Sequence, residues 1–109
     1  MLIFLIGQRI AFILAKCYSG NGKYYSGNLA TTSSGKTCQQ WSSNIPHKKN
    51  PLASDPANFP EKSLVAAGNK CRNPDGDSQP WCYTTSAGTR WEYCNVTQCP
   101  GNIQKNING

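Results

Sequence analysis

At 109 residues the chain has room for one domain, and a hydrophobic content of 38% with six cysteines excludes a large aliphatic core. The formal net charge of +6 admits anionic partners. Its lysines are scattered, however, which reads as a solvated surface and not as a nucleic-acid or membrane patch.

Residues 1–16 are apolar but broken by Gly7, Gln8 and Arg9. The segment is too short and too interrupted to span a bilayer. It reads as a signal peptide with a cut after Ala15, or as a leader that belongs to no domain. The fold is expected to begin at Cys17.

From Cys17 to Cys38 the chain is rich in turns. Gly20-Asn21-Gly22 is a tight-turn signal, and Gly27 and Gly35 add bends. Short hairpin pieces joined by loops suit this stretch better than a helix. Between Cys38 and Cys71 stand Trp41 and then Pro46, Pro51, Pro56 and Pro60. Prolines at that density rule out a central strand or a long helix. Leu64–Ala67 fits either a short strand or one helical turn. Residues 100–109 read as a flexible tail or linker.

The aliphatic residues from Cys17 to Cys99 are only Leu29, Ile45, Leu52, Leu64, Val65 and Val96. Each is worth roughly 1.5–3 kcal/mol when buried, which builds a thin core. Covalent staples are expected to assist. An even set of cysteines in a small, loop-rich chain argues for three disulfides and an oxidising compartment, hence a secreted, extracellular domain. A zinc site fits poorly, since His47 is the lone histidine and no CxxC pair occurs. Spacing alone leaves the pairing open.

The richest chemistry lies between Cys71 and Cys94, CRNPDGDSQPWCYTTSAGTRWEYC. Asp75 and Asp77 flank Gly76. In an extended stretch, residues two apart face one side, so both carboxylates can meet one ammonium. The plainer reading of Asn73–Asp77 is a turn. A calcium loop fails for want of further oxygen ligands at regular spacing. Trp81, Tyr83 and Trp91 can offer flat apolar faces, with core packing as the plainer role. Trp41 and Tyr93 are assigned to the core. Arg90 can offer a fixed cationic fork, with surface charge as the plainer role. An anionic end, an aromatic floor and a cationic end suit a short apolar stem with an ammonium at one end and a carboxylate at the other. A C-terminal lysine or an ω-amino acid is such a ligand.

Asn95-Val96-Thr97 matches an N-glycosylation acceptor. His47 has no nucleophile motif beside it and reads as structural. No enzyme, cofactor or metal is expected.

Several motifs resemble the kringle family. They are CYSGNGKYYSG from Cys17, TTSSGKTCQQWSSNIPH from Thr31, NFP at Asn58–Pro60, CRNPDGD from Cys71, PWCYTT from Pro80 and RWEYC from Arg90. The resemblance covers residues 17–99. It implies a small disulfide-rich kringle fold, mostly loops with short antiparallel β pieces. It implies the pairs Cys17–Cys99, Cys38–Cys82 and Cys71–Cys94. The first would close nearly the whole domain, worth on the order of 4 kcal/mol in a loop-entropy account.

The resemblance also implies a non-catalytic secreted module that binds lysine-type ligands on extracellular proteins. Asp75, Asp77, Trp81, Tyr83, Arg90 and Trp91 would form its site. The chain departs from the compact lysine-binding pattern between His47 and Cys71, where it carries extra residues. There Asn50 or Pro51 falls where some of these kringles place a second cation, with Lys48 and Lys49 just before. Two other readings follow: a heparin-like polyanion site through Lys48, Lys49, Lys62 and Lys70, or a structural spacer.

Overall fold

A computed structural model describes residues 17–100. The expected leader at 1–16 lies outside the described residues, as does the expected tail beyond Pro100.

Among the described residues, four short strands, one helical turn and two 3-10 turns are joined by loops. Strand β1 is Cys17–Tyr18, β2 is Trp81–Tyr83, β3 is Trp91–Tyr93 and β4 is Thr97–Gln98. The helical turn α1 is Leu64–Ala67, and two 3-10 turns cover Leu52–Ser54 and Pro56–Asn58. Among the described residues no helix is long and apolar enough to cross a membrane.

Local chemistry settles α1. The Ser63 hydroxyl oxygen accepts from the Ala66 N–H, an N-terminal cap. Gly68 then stops the turn at φ 61°, a conformation glycine adopts without strain. Its N–H donates back to the Leu64 and Val65 carbonyls.

Strands β2 and β3 pair antiparallel, with Trp81 opposite Tyr93 and Tyr83 opposite Trp91. Strands β1 and β4 differ from the expected antiparallel pieces. They pair parallel, with Cys17 opposite Thr97. Their partners are not sequence neighbours joined by a hairpin, so nothing forces the antiparallel sense.

The three disulfides join Cys17 to Cys99, Cys38 to Cys82 and Cys71 to Cys94, the pairing implied by the resemblance. The last two pack together at the centre, with Cys38 Sγ 3.8 Å from Cys71 Sγ. All four of those sulfurs are committed to disulfides, which removes them as metal ligands.

The core is aromatic around these bridges. Trp41 is buried and meets Phe59, Trp81 and Tyr83 edge to face at centroid distances of 5.0, 5.3 and 5.9 Å. Its indole N–H donates to the Lys70 carbonyl at 2.7 Å, so the buried ring carries no unpaired donor. Tyr93, assigned to the core from sequence, is only half-buried. It packs against the core's edge and turns its hydroxyl outward to Asp77.

Arg72 is a buried charge, 1% exposed. Its guanidinium reaches Glu61 Oε2 at 2.5 Å and donates to the Gly27 and Cys71 carbonyls at 2.8 and 2.7 Å. It also stacks over the Tyr25 ring. Such a charge is tolerable in a core only with this full set of partners.

Candidate functional site

The β2–β3 register places four aromatic residues on one face of the pair. Trp81 and Tyr83 alternate along β2, and Tyr93 and Trp91 stand opposite them. Edge-to-face contacts chain the rings: Tyr83 to Trp81 at 4.9 Å, Trp81 to Trp91 at 5.9 Å, Trp91 to Tyr93 at 5.1 Å. Trp81 and Tyr83 are buried, so most of each ring is core. Trp91 is 41% exposed and supplies the open aromatic face. The resemblance implied all three rings in the site; the packing of Trp81 and Tyr83 against Trp41 makes their exposure unequal.

The carboxylates arrive by a turn and not by strand alternation, which corrects the extended reading of this stretch. Asn73 closes the loop from both ends. Its Oδ1 accepts from the Asp77 N–H at 3.0 Å, and its Nδ2 donates to the Asp77 carbonyl at 2.7 Å. Gly76 between the two acids sits at φ 75°. The turn nonetheless brings both acids to one cavity.

Each acid is held by neighbours. Asp75 Oδ1 accepts from Trp81 Nε1 at 3.0 Å, and its Oδ2 accepts from Asn50 Nδ2 at 3.2 Å. Asp77 Oδ1 accepts from the Ser78 N–H at 2.7 Å and from the Tyr93 hydroxyl. That last bond and the nearby negative charge push the Tyr93 phenol above its ordinary range.

Arg90 lies over the Tyr83 ring, its guanidinium carbon 5.0 Å from the centroid. It donates to the Lys48 carbonyl at 2.6 Å. The 48–50 loop is itself pinned to the core, since the Asn50 N–H donates to the Tyr83 hydroxyl at 2.9 Å. The cation is thus positioned by a ring below and a loop alongside.

Asp75, Asp77, Trp81, Tyr83, Arg90 and Trp91 all line one cavity of about 130 Å³, together with Asn50. Asn50 enters this cavity as a donor to Asp75. Sequence placed it near the site of a second cation; the side chain instead serves the anionic end. Tyr93 is a second partner that sequence reasoning missed. Its position two residues after Trp91 in a strand was the available signal.

Lys49 does not reach the cavity. Its side chain is buried, with Nζ donating to the Ser43 carbonyl at 2.9 Å and Asn44 Oδ1 at 2.8 Å. Burial lowers its pKa. Lys48 and Lys49 therefore do not form one exposed cationic pair. His47 is buried with Nε2 2.8 Å from the Ser86 carbonyl, a structural position. Asn95 and Thr97 are exposed.

A family model described as Kringle domain matches residues 17–99. The chain belongs to the kringle family. Kringle domains are non-catalytic modules. The chain is 48% identical over 83 residues to plasminogen of Capra hircus, covering 76% of this chain and 63% of that protein. It is also 48% identical over 84 residues to the putative apolipoprotein(a)-like protein 2 of Homo sapiens, covering 77% of this chain and 60% of that one. The chain thus spans less than two thirds of the length of these relatives. In this kringle, the aromatic face, the acidic turn and Arg90 share one opening.

Proposed function

We propose that this kringle is a secreted, non-catalytic module that binds lysine-type ligands, a C-terminal lysine or an ω-amino acid, on extracellular proteins. One observation carries the reading: two carboxylates, an open indole and a guanidinium line a single cavity. The ligand ammonium meets Asp75 and Asp77. Its methylenes lie on Trp91, with the edges of Trp81 and Tyr83 beneath. Its carboxylate meets Arg90. Three disulfides fit an oxidising, extracellular setting.

The magnitudes are moderate. Four methylenes at about 0.8 kcal/mol each contribute roughly 3 kcal/mol. Each charge-assisted hydrogen bond adds roughly 1.5–3 kcal/mol. Lost ligand freedom offsets several kcal/mol, which leaves a Kd on the order of micromolar to millimolar. Polyanion binding through Lys48 and Lys49 is not favoured, because Lys49 is turned inward.

Tryptophan fluorescence tests the reading. A short ω-amino acid should give a saturable change, because Trp91 stands open in the cavity. A flat titration would refute it.

A further inference from the structure

A second cavity, of about 240 Å³, lies between two loops far apart in sequence. Lys23 and Tyr24 form one wall, and Ala57, Pro60 and Lys62 the other. None of the residues lining it is acidic. Tyr24 is 79% exposed, and Lys23 Nζ sits 5.6 Å from its ring centroid.

Both walls are fixed. The first is the tight turn at Gly22, whose φ is 83°. A Cβ there would stand 2.7 Å from the Pro80 ring, so only glycine lets this turn press on Pro80. Asn21 Oδ1 accepts from the Lys23 N–H at 3.1 Å and holds the next residue in place. The second wall is anchored by Phe59, buried against Trp41. Lys62 follows with φ 56°, a left-handed conformation that is uncommon for a side-chain-bearing residue. Its Nζ donates to the Ala57 carbonyl at 2.9 Å, which keeps the ammonium along this wall. Glu61, between Pro60 and Lys62, is turned to the buried Arg72 and does not neutralise the groove.

We infer that this groove is a second binding site, of opposite sign to the first, for an acidic peptide segment of a partner protein. An acidic side chain pairs with Lys23 or Lys62, and an adjacent apolar side chain lies on Tyr24 and Pro60. The walls favour a peptide over a sulfated sugar chain. A polyanion gains most from a dense row of cations. Here two ammonium groups are separated by apolar surface.

The test uses the full chain and a labelled acetyl-Glu-Phe-Glu-amide peptide, followed by fluorescence anisotropy. Saturable binding that weakens with added salt is expected. Lys23→Gln and Lys62→Gly should each weaken it about two- to fivefold, the range of one exposed ion pair. The Lys62→Gly change removes the ammonium while relieving the left-handed backbone, so the fold is retained. Both variants should leave the response to an ω-amino acid unchanged, which separates this site from the first. No binding of the peptide overturns the inference, as does equal binding by the wild type and both variants. Binding of a heparin fragment at these lysines without binding of the peptide replaces the acidic peptide with a polyanion.

Discussion

Trp81 donates its indole N–H to Asp75 Oδ1 at 3.0 Å, so the carboxylate at the mouth of the cavity is held by a ring of the core. Asn50 holds the other oxygen of the same acid. Asp75 is therefore held in place by the fold itself, which would limit the ordering cost of binding the proposed ligand.

Removing either negative charge should weaken a lysine analogue. Asp75→Asn and Asp77→Asn are each expected to cost about 1.5–3 kcal/mol of affinity, one charged hydrogen bond. Asp75→Asn should also lower stability by about 1 kcal/mol, because Trp81 and Asn50 lose a charged acceptor. Fluorescence titration reads the first and thermal melting the second. Unchanged affinity in both variants would leave the acids as turn formers only.

The cationic end is tested by the ligand instead. An alkyl amine with the same stem lacks a carboxylate and leaves Arg90 unpaired by ligand. It should bind about 1.5–3 kcal/mol more weakly than the ω-amino acid. Arg90→Ala should erase most of that difference. A difference that survives the substitution would assign the carboxylate to another cation.

How far the sequence speaks depends on the range of the interaction. The six residues expected at the site do line one cavity, and the family motifs carry that much. Turn residues and prolines announced a loop-rich fold. What stayed hidden depends on distant partners. Nothing local marks Arg72 as a core residue, yet its guanidinium meets Glu61 and the Gly27 carbonyl across the fold. Lys49 looked exposed until the loop folded its stem over Ser43 and Asn44. Asn50 or Pro51 was expected where some kringles place a second cation, while the Asn50 amide turns to Asp75. Leu64–Ala67 is too short for periodicity to decide, and the flanking Ser63 and Gly68 decide it instead.

Stability should fall in acid in a defined direction. Burial pushes the Glu61 carboxyl up, but the hydrogen bonds and charge of Arg72, with lesser help from its own backbone N–H and Lys70, outweigh it. Its folded pKa thus lies below the ordinary glutamate range. Hydrogen bonds from Thr32 and Ser34, and the charge of Lys36, lower Glu92 likewise against a smaller opposing effect of burial. A depressed carboxyl contributes stability that is fully present above the unfolded pKa, about 4.3. That contribution is lost as pH falls through the lower folded values. Thermal midpoints should be flat above this range and drop below it. Glu61→Gln should flatten the drop and cost about 3 kcal/mol at neutral pH, since it leaves Arg72 buried without its counter-charge. A variant as stable as the wild type would show the pair to be dispensable.

The disulfides should be necessary for folding. The buried aliphatic surface is small, and two bridges form the centre of the core. Reduction without denaturant should abolish the near-ultraviolet circular dichroism of the packed tryptophans. Persistence of that signal after full reduction would mean that the aromatic core folds unaided.

The Cys17–Cys99 bridge has a mechanical consequence. Its Cα atoms stand 5.0 Å apart, although 82 positions separate them along the chain. A pull applied on both flanks of the module passes through this one covalent link and beside the parallel β1–β4 pair. Every residue that lines the cavity, from Asn50 to Trp91, lies within the loop that this bridge closes. Tension should therefore neither lengthen the oxidised module nor open its site, and force–extension traces should gain length only after reduction. A partner held in the cavity would stay held while the surrounding polypeptide is stretched.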